Sequence, residues 1–240
     1  MDTSCFSVTS DISLESYDGS RGVEGSLIKQ SANFMMESFW GVEGASNELL
    51  SEQEADLGTR FGEIMGKRKL ASNLILGKMN DEISGLVGVE VGLFDLKTNA
   101  ILNYKTSDKM LTDAVASLGP KQRRQFKDSS VDELVGELPD LQGNFEAVAV
   151  LANLCVSPKS RGKSLGKSLC SEVEVVVKNW GLSKIMLKVE EKNDAAKALY
   201  EKLGYTVIHT DEDSTTIRPD TDNGTFKEQE CAMLTMCKSI

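Results

Sequence analysis

A chain of 240 residues, 40% hydrophobic and 27% charged, is long enough to bury a core, and its formal charge of -10 with a pI near 4.8 argues against a nucleic-acid partner, which needs a basic face. The longest apolar run, Ala147 to Ala152, is far too short for a bilayer, so no membrane partner is expected. One histidine, His209, and five cysteines without a C-x-x-C pair give little ground for a metal site, a disulfide scaffold or Ser-His and Cys-His catalysis. Proton transfer then falls to Tyr, Glu, Asp, Lys or water.

The cysteine pattern fits a reducing, intracellular compartment, and the opening segment has neither a hydrophobic core nor the basic character of an organelle leader. A plastid location would require a transit peptide ahead of Met1. Residues 1–20 are polar and read as a flexible arm with a short strand near Ile12 to Ser16, leaving 21–240 as one domain. Val23 to Trp40 carries Leu27, Ile28, Phe34, Met35 and Phe39 at helical spacing and stops at Gly41. Ser51 and Glu54 read as the capping box of a second helix, with Leu57, Phe61 and Ile64 on one face up to Gly66. Leu70 to Met79 and Ile83 to Leu96 read as strands joined by a tight turn at Asn80 and Asp81. Residues 97–143, basic and then acidic, read as a partly helical insertion between strands.

From Asn144 the pattern is regular. Phe145 to Val156 is a nearly all-apolar strand of the kind covered on both faces. A helix follows, with Leu165, Leu169, Val173, Val176 and Trp180 on one stripe and Gly181 at its end. Ile185, Leu187 and Val189 alternate as a strand, and Asn193 caps a short helix with Ala196, Leu199, Tyr200 and Leu203 inside, ended by Gly204. Tyr205 to His209 and Cys231 to Lys238 read as the last strands, separated by an acidic loop over Thr210 to Asn223.

Between the apolar strand and its helix lies Val156-Ser-Pro-Lys-Ser-Arg-Gly-Lys-Ser-Leu-Gly-Lys-Ser168, with Lys159, Arg161, Lys163 and Lys167 and no acid. A helix start offers unpaired amides and the positive end of the helix dipole, and glycines let a ligand approach the backbone, so the segment reads as a phosphate site. A solvated helix start is the plain alternative. A P-loop fits poorly: three residues, not four, separate Gly162 from Gly166, and the next strand ends in Glu190 and Glu191 without a metal-binding Asp.

The same segment resembles the GNAT superfamily of N-acetyltransferases, whose pattern V-x-P then [RQ]-x-x-G-x-[GA] appears as Val156-Ser-Pro158 and Arg161-Gly-Lys-Ser164-Leu-Gly166. Ser164 stands where the first motif glycine usually lies. A second family block matches at Val189-Glu-Glu-Lys-Asn193-Asp-Ala-Ala-Lys-Ala-Leu-Tyr200-Glu-Lys-Leu-Gly-Tyr205. Phe39-Trp40-Gly41 and Gly66-Lys-Arg-Lys further resemble plastid-type GNAT proteins of plants and algae.

The resemblance implies an α/β fold with a mixed, mostly antiparallel central sheet flanked by helices, its fourth and fifth strands splayed. It implies acetyl-CoA as co-substrate and an amine acceptor, protein lysine or N-terminus, attacking directly in a ternary complex. It places the coenzyme on Leu154, Cys155 and Val156 through a strand bulge, on the loop Arg161, Gly162, Lys163, Ser164, Leu165, Gly166 and Lys167, and near Asn193. Tyr200 corresponds to the tyrosine that protonates the leaving thiolate; from spacing alone it would be core. The acid that many relatives carry five residues before Asn193 is Lys188 here, so Glu146, at the head of the apolar strand, and Glu190 are the substitute bases. Cys155 has no imidazole partner for covalent chemistry. The missing acid and Ser164 also suit a catalytically weak acyl-CoA-binding or interaction module on the same fold.

Overall fold

The computed structural model describes residues 12–19, 21–62, 70–127 and 129–240. Elements follow the apolar periodicity. β1 (Ile12–Asp18) precedes α1 (Gly25–Ser38) and α2 (Asn47–Phe61), then β2 (Ser72–Met79) and β3 (Glu82–Asp95). The two-residue turn between these strands holds Asn80 at φ 54° and Asp81 at φ 63°, the left-handed pair that a tight hairpin needs. A short β4 (Ala100–Ile101) pairs with β3, and the insertion is helical in three pieces: α3 (Tyr104–Ser117), α4 (Pro120–Gln125) and α5 (Val131–Glu137). β5 (Phe145–Val156), α6 (Leu165–Asn179), β6 (Lys184–Glu190) and α7 (Asp194–Lys202) follow, then β7 (Thr206–Asp211), β8 (Thr215–Asp220), β9 (Thr225–Glu230) and β10 (Met233–Ser239).

The main sheet runs β1-β2-β3-β5-β6-β10-β7, antiparallel throughout except for β5 beside β6. This is the expected mixed α/β architecture. α1 and α2 cover one face, where Ile28, Met35, Leu57 and Phe61 meet Leu74, Leu76 and Leu86. α6 covers the other, where Leu165, Leu169 and Val173 meet Ile75, Val87 and Val89, together with Leu111 of α3 and Leu134 of α5. Two glycines permit the close approach: a Cβ on Gly88 would stand 2.6 Å from the Phe61 ring, and one on Gly77 2.6 Å from Leu165. No described helix is long and apolar enough to cross a membrane.

Three sequence readings change. Ile12–Asp18 is an edge strand in register with β2, from Ile12 opposite Met79 to Asp18 opposite Asn73, so the described part of the expected arm belongs to the sheet. α2 starts earlier than Ser51: Ser46 is its cap, its hydroxyl accepting from the Leu49 amide at 3.3 Å. Ile64, Gly66 and the Gly66-Lys-Arg-Lys segment lie outside the described residues. The acidic loop contains β8, which with β9 forms a separate hairpin. The hairpin rests on α2, where the Phe226 amide donates to Glu52 at 3.4 Å.

Candidate functional site

β5 and β6 pair at Ala149 with Ile185 and at Val150 with Met186. Beyond these two pairs β6 continues along β10 as far as Glu190 opposite Met233, while β5 continues along β3, and the two strands part. In the diverging stretch Cys155 faces Leu86 and Ala152 faces Gly88, so Asn153 and Leu154 oppose the single residue Val87. This is a β-bulge with Asn153 at φ 59°, and it takes backbone groups of β5 out of the ladder. It begins one residue before the expected Leu154–Val156, and those three residues line the gap.

The loop that follows is anchored by the Ser157 amide donating to the Ser84 carbonyl at 2.9 Å, then makes a 3₁₀ turn over Pro158–Ser160. Gly162 has φ 76° with open space where a Cβ would be, and Ser164 has φ 64° immediately before α6. Ser164 does not cap the helix with its side chain, and the first turn holds no acid. The amides of Leu165, Gly166 and Lys167 therefore lack intrahelical acceptors at the positive end of the helix dipole. A pyrophosphate fits there, approached by backbone that Gly162 keeps bare. Gly166 sets α6 against α7, since its absent Cβ would lie 3.4 Å from Leu199. Lys163 is exposed and stands away from the cavity lining, while Lys167 lines it.

Arg161 lines the cavity as well, with its guanidinium engaged by backbone carbonyls. Its Nε donates to the Val156 carbonyl at 3.2 Å and a terminal nitrogen donates to the Ser38 carbonyl at 3.3 Å. α1 has no basic residue in its last turn, so Arg161 supplies the cation that a helix C-terminus favours and ties the loop to α1.

Loop, bulge, α7, the end of α1 and the β8–β9 hairpin enclose a cavity of about 1250 Å³. Asn193 caps α7, its side chain accepting from the Ala196 amide at 3.1 Å, and lines the cavity. Tyr200 lines it too, 6% exposed, with its ring edge-on to Tyr205 at 5.5 Å. Burial, followed by the neighbouring Cys170 thiol, holds the Tyr200 phenol well above its ordinary value, so the hydroxyl is protonated at neutral pH and is a weaker acid than a free phenol. Burial also pushes the Cys155 thiol up to about 12, which leaves it a poor nucleophile.

The structure does not bring Glu146 to this cavity. It opens β5 opposite Phe94, nine residues and roughly 30 Å of strand from Cys155, and pairs with Lys184 at 2.7 Å. Lys188 is exposed on β6 opposite Thr235, and His209 sits on the edge strand β7, also opposite Thr235. Glu190 does line the cavity, but both its oxygens lie 2.6 Å from one terminal nitrogen of Arg218. That guanidinium lies 5.8 Å over the ring of Trp40, whose indole nitrogen donates to Gln53 at 3.3 Å and whose ring meets Phe39 and Phe226 at 4.6 and 5.7 Å. Sequence reasoning missed Arg218 and Trp40 as site residues. The available signals were Arg218 as the lone Lys or Arg between His209 and Asn223, and an aromatic pair directly after a helix.

A parted sheet whose gap ends at an uncapped helix start defines the class: this is the GNAT acetyltransferase fold. Residues 130–205 match the model of the acetyltransferase (GNAT) family. Over that stretch, about a third of its length, the chain is similar to GNAT acetyltransferases, and a chloroplastic plant protein is among the relatives it matches. It is 34% identical over 74 residues to GCN5-related N-acetyltransferase 7, chloroplastic, of Arabidopsis thaliana, covering 31% of this chain and 27% of that protein. It is 37% identical over 70 residues to a mycothiol acetyltransferase of Paenarthrobacter aurescens, covering 29% and 22%. The matched stretches thus span about a quarter of these relatives. Among solved structures, the ribosomal-protein-S18-alanine N-acetyltransferase of Escherichia coli superposes with a TM-score of 0.52 at 14% identity, covering 96% of this chain and 94% of that one. A GNAT acetyltransferase of Streptococcus pneumoniae gives 0.52 at 13%, covering 96% and 100%.

Proposed function

We propose that the protein transfers the acetyl group of acetyl-CoA to a primary amine of a protein or peptide by direct attack in a ternary complex. The observation that carries this reading is the gap between β5 and β6, which has the bulge on one wall, the bare amides of α6 at one end and the Tyr200 hydroxyl group's residue on the α7 side. The coenzyme supplies an activated thioester. Leu165, Gly166 and Lys167 would hold its pyrophosphate through backbone amides, with Lys167 and Arg161 adding charge, and the bulge at Asn153–Leu154 would hold its arm. Tyr200, whose phenol is protonated at neutral pH, lines the same cavity and is assigned the proton for the departing thiolate.

Glu190 is the one carboxylate among the described cavity-lining residues, and Arg218 occupies both its oxygens. With no free carboxylate at the gap, the acceptor amine loses its proton to water. An N-terminal amine near ~8 is then neutral about 10²-fold more often at pH 7 than a lysine near ~10.4, which favours N-terminal acceptors over lysines. A binding module without turnover is the second reading, supported by the same absence of a free base.

Incubation of the protein with isotopically labelled acetyl-CoA and a protein mixture, read by mass spectrometry, separates these readings. Labelled N-termini, with fewer labelled lysines, are the expected result. Coenzyme binding without label on any amine would overturn the transferase reading.

A further inference from the structure

Resting on the transferase reading, we infer that Glu190 and Arg218 form a charge filter at the acceptor end of the cavity, selecting acceptors whose residue beside the reacting amine is uncharged. The two groups come from separate elements. Glu190 is the last residue of β6, beyond the point where β5 has parted from it, and Arg218 reaches in from the β8–β9 hairpin, which shares no ladder with the main sheet. One guanidinium nitrogen stands 2.6 Å from both carboxylate oxygens, with side-chain exposures of 32% and 27%. Both residues line the same cavity as Leu154 and Tyr200. The lining also offers apolar surface, Phe39, 43% exposed, with Trp40, Val42 and Pro219, beside the polar Lys192 and Asn193.

The selection follows from what each visitor would have to break. A cation beside the amine can reach Glu190 only by displacing Arg218, leaving a half-desolvated guanidinium without its counter-charge; an anion seeking Arg218 strands Glu190 in the same way. An uncharged side chain leaves the pair intact and gains contact with Phe39 and Trp40. The other cations of the lining stand on other elements, Arg161 and Lys167 on the loop and the start of α6, Lys192 on the turn before α7 and Lys202 on α7, and they are common to the wild type and every variant, so comparing ratios between proteins isolates the pair.

The test uses three peptides that begin with Ala and differ only at the second residue, Leu, Lys or Glu. The wild type should favour the Leu peptide over each charged one by about tenfold in kcat/KM. Within each variant only ratios are compared. Glu190→Gln leaves Arg218 unpaired and should raise the ratio of Glu to Lys peptide by about tenfold or more, and Arg218→Gln should lower it by a similar factor. The exchanged pair, Glu190→Arg with Arg218→Glu, should bring the ratio back towards the wild-type value. Trp40 emission, isolated by Trp180→Phe, should follow peptide binding to the CoA-loaded protein and report the same order of affinities without turnover, because Arg218 lies over that ring. If wild type acetylates the peptides but the two single variants leave the ratio unmoved or move it the same way, the filter is refuted while the transferase reading stands. If coenzyme and peptide both bind and no peptide is acetylated, the transferase reading falls, and the binding ratios alone decide the filter.

Discussion

Ser164 holds a left-handed backbone that a side chain disfavours by about 1 kcal/mol, at the residue where the chain turns from the loop into α6. Ser164→Gly should therefore leave the melting temperature unchanged or raise it by a few degrees, with coenzyme affinity retained, because the amides after it are untouched. Ser168→Gly, one turn inside α6, should instead cost about 0.5 kcal/mol, which makes the pair a control for position. A drop in stability for Ser164→Gly equal to that for Ser168→Gly would show that no strain is relieved. Tyr200 carries a second expectation. Tyr200→Phe should lower turnover by about 10² to 10⁴ and leave coenzyme affinity within a few-fold, read by presteady-state rates and calorimetry, since the buried phenol is assigned to the leaving group and not to binding. Unchanged chemistry in that variant would return Tyr200 to the core stripe that its spacing first suggested.

At the scale of elements, α6 is the part that must be placed accurately, and Gly77 on β2 helps place it. Gly77→Ala puts a methyl 2.6 Å from Leu165, the first residue of the helix and nearly fully buried. The variant should lose about 1–3 kcal/mol in chemical denaturation and weaken coenzyme binding, because the residue it pushes carries one of the phosphate-facing amides. Stability lost with coenzyme affinity kept would mean that the helix start does not move with Leu165. Much of this arrangement was legible in the sequence because the signals are local: the all-apolar β5, the stripe of α6, and Asn193 as the cap of α7. The hairpin β8–β9 was not, since most of its residues are exposed and its acids read as loop. Glu146 misled for a related reason. It belongs to the expected strand, but strand length carries it away from the gap, and its partner Lys184 comes from another strand. Arg218 meets Glu190 across 28 residues, a contact that no local spacing announces.

Over the whole molecule, proton binding makes stability fall at high pH. Burial pushes Cys155 and Cys170 up to about 12 from an ordinary thiol value of 9.0, and burial also raises Tyr200 and Tyr205 from 10.0. Each folded-state value lies above the unfolded one, so below pH 9 both states hold these protons and stability is unaffected. As pH rises from 9 towards 12 the unfolded chain releases thiol protons that the folded protein keeps, and stability drops by about 1.4 kcal/mol per pH unit for each retained proton. Melting curves should be flat in this contribution up to about pH 9 and shift down above it. The double variant Cys155→Ala with Cys170→Ala should show a shallower decline, and an identical slope would remove the thiols as its cause.

The brevity of the β5–β6 pairing also bears on how the molecule breathes. Two residue pairs join the half made of β1, β2, β3, β5 and the short β4 to the three-strand half, β6, β10 and β7, so each half presents an unpaired strand margin to the gap. A molecule lying along that gap would act as a missing rung between the halves and quiet the opening of both margins. In hydrogen–deuterium exchange, the backbone from Asn153 to Val156 and from Leu187 to Glu190 should exchange more slowly once acetyl-CoA is added, by about tenfold. The β8–β9 ladder, which shares no backbone pairing with either half, should change less.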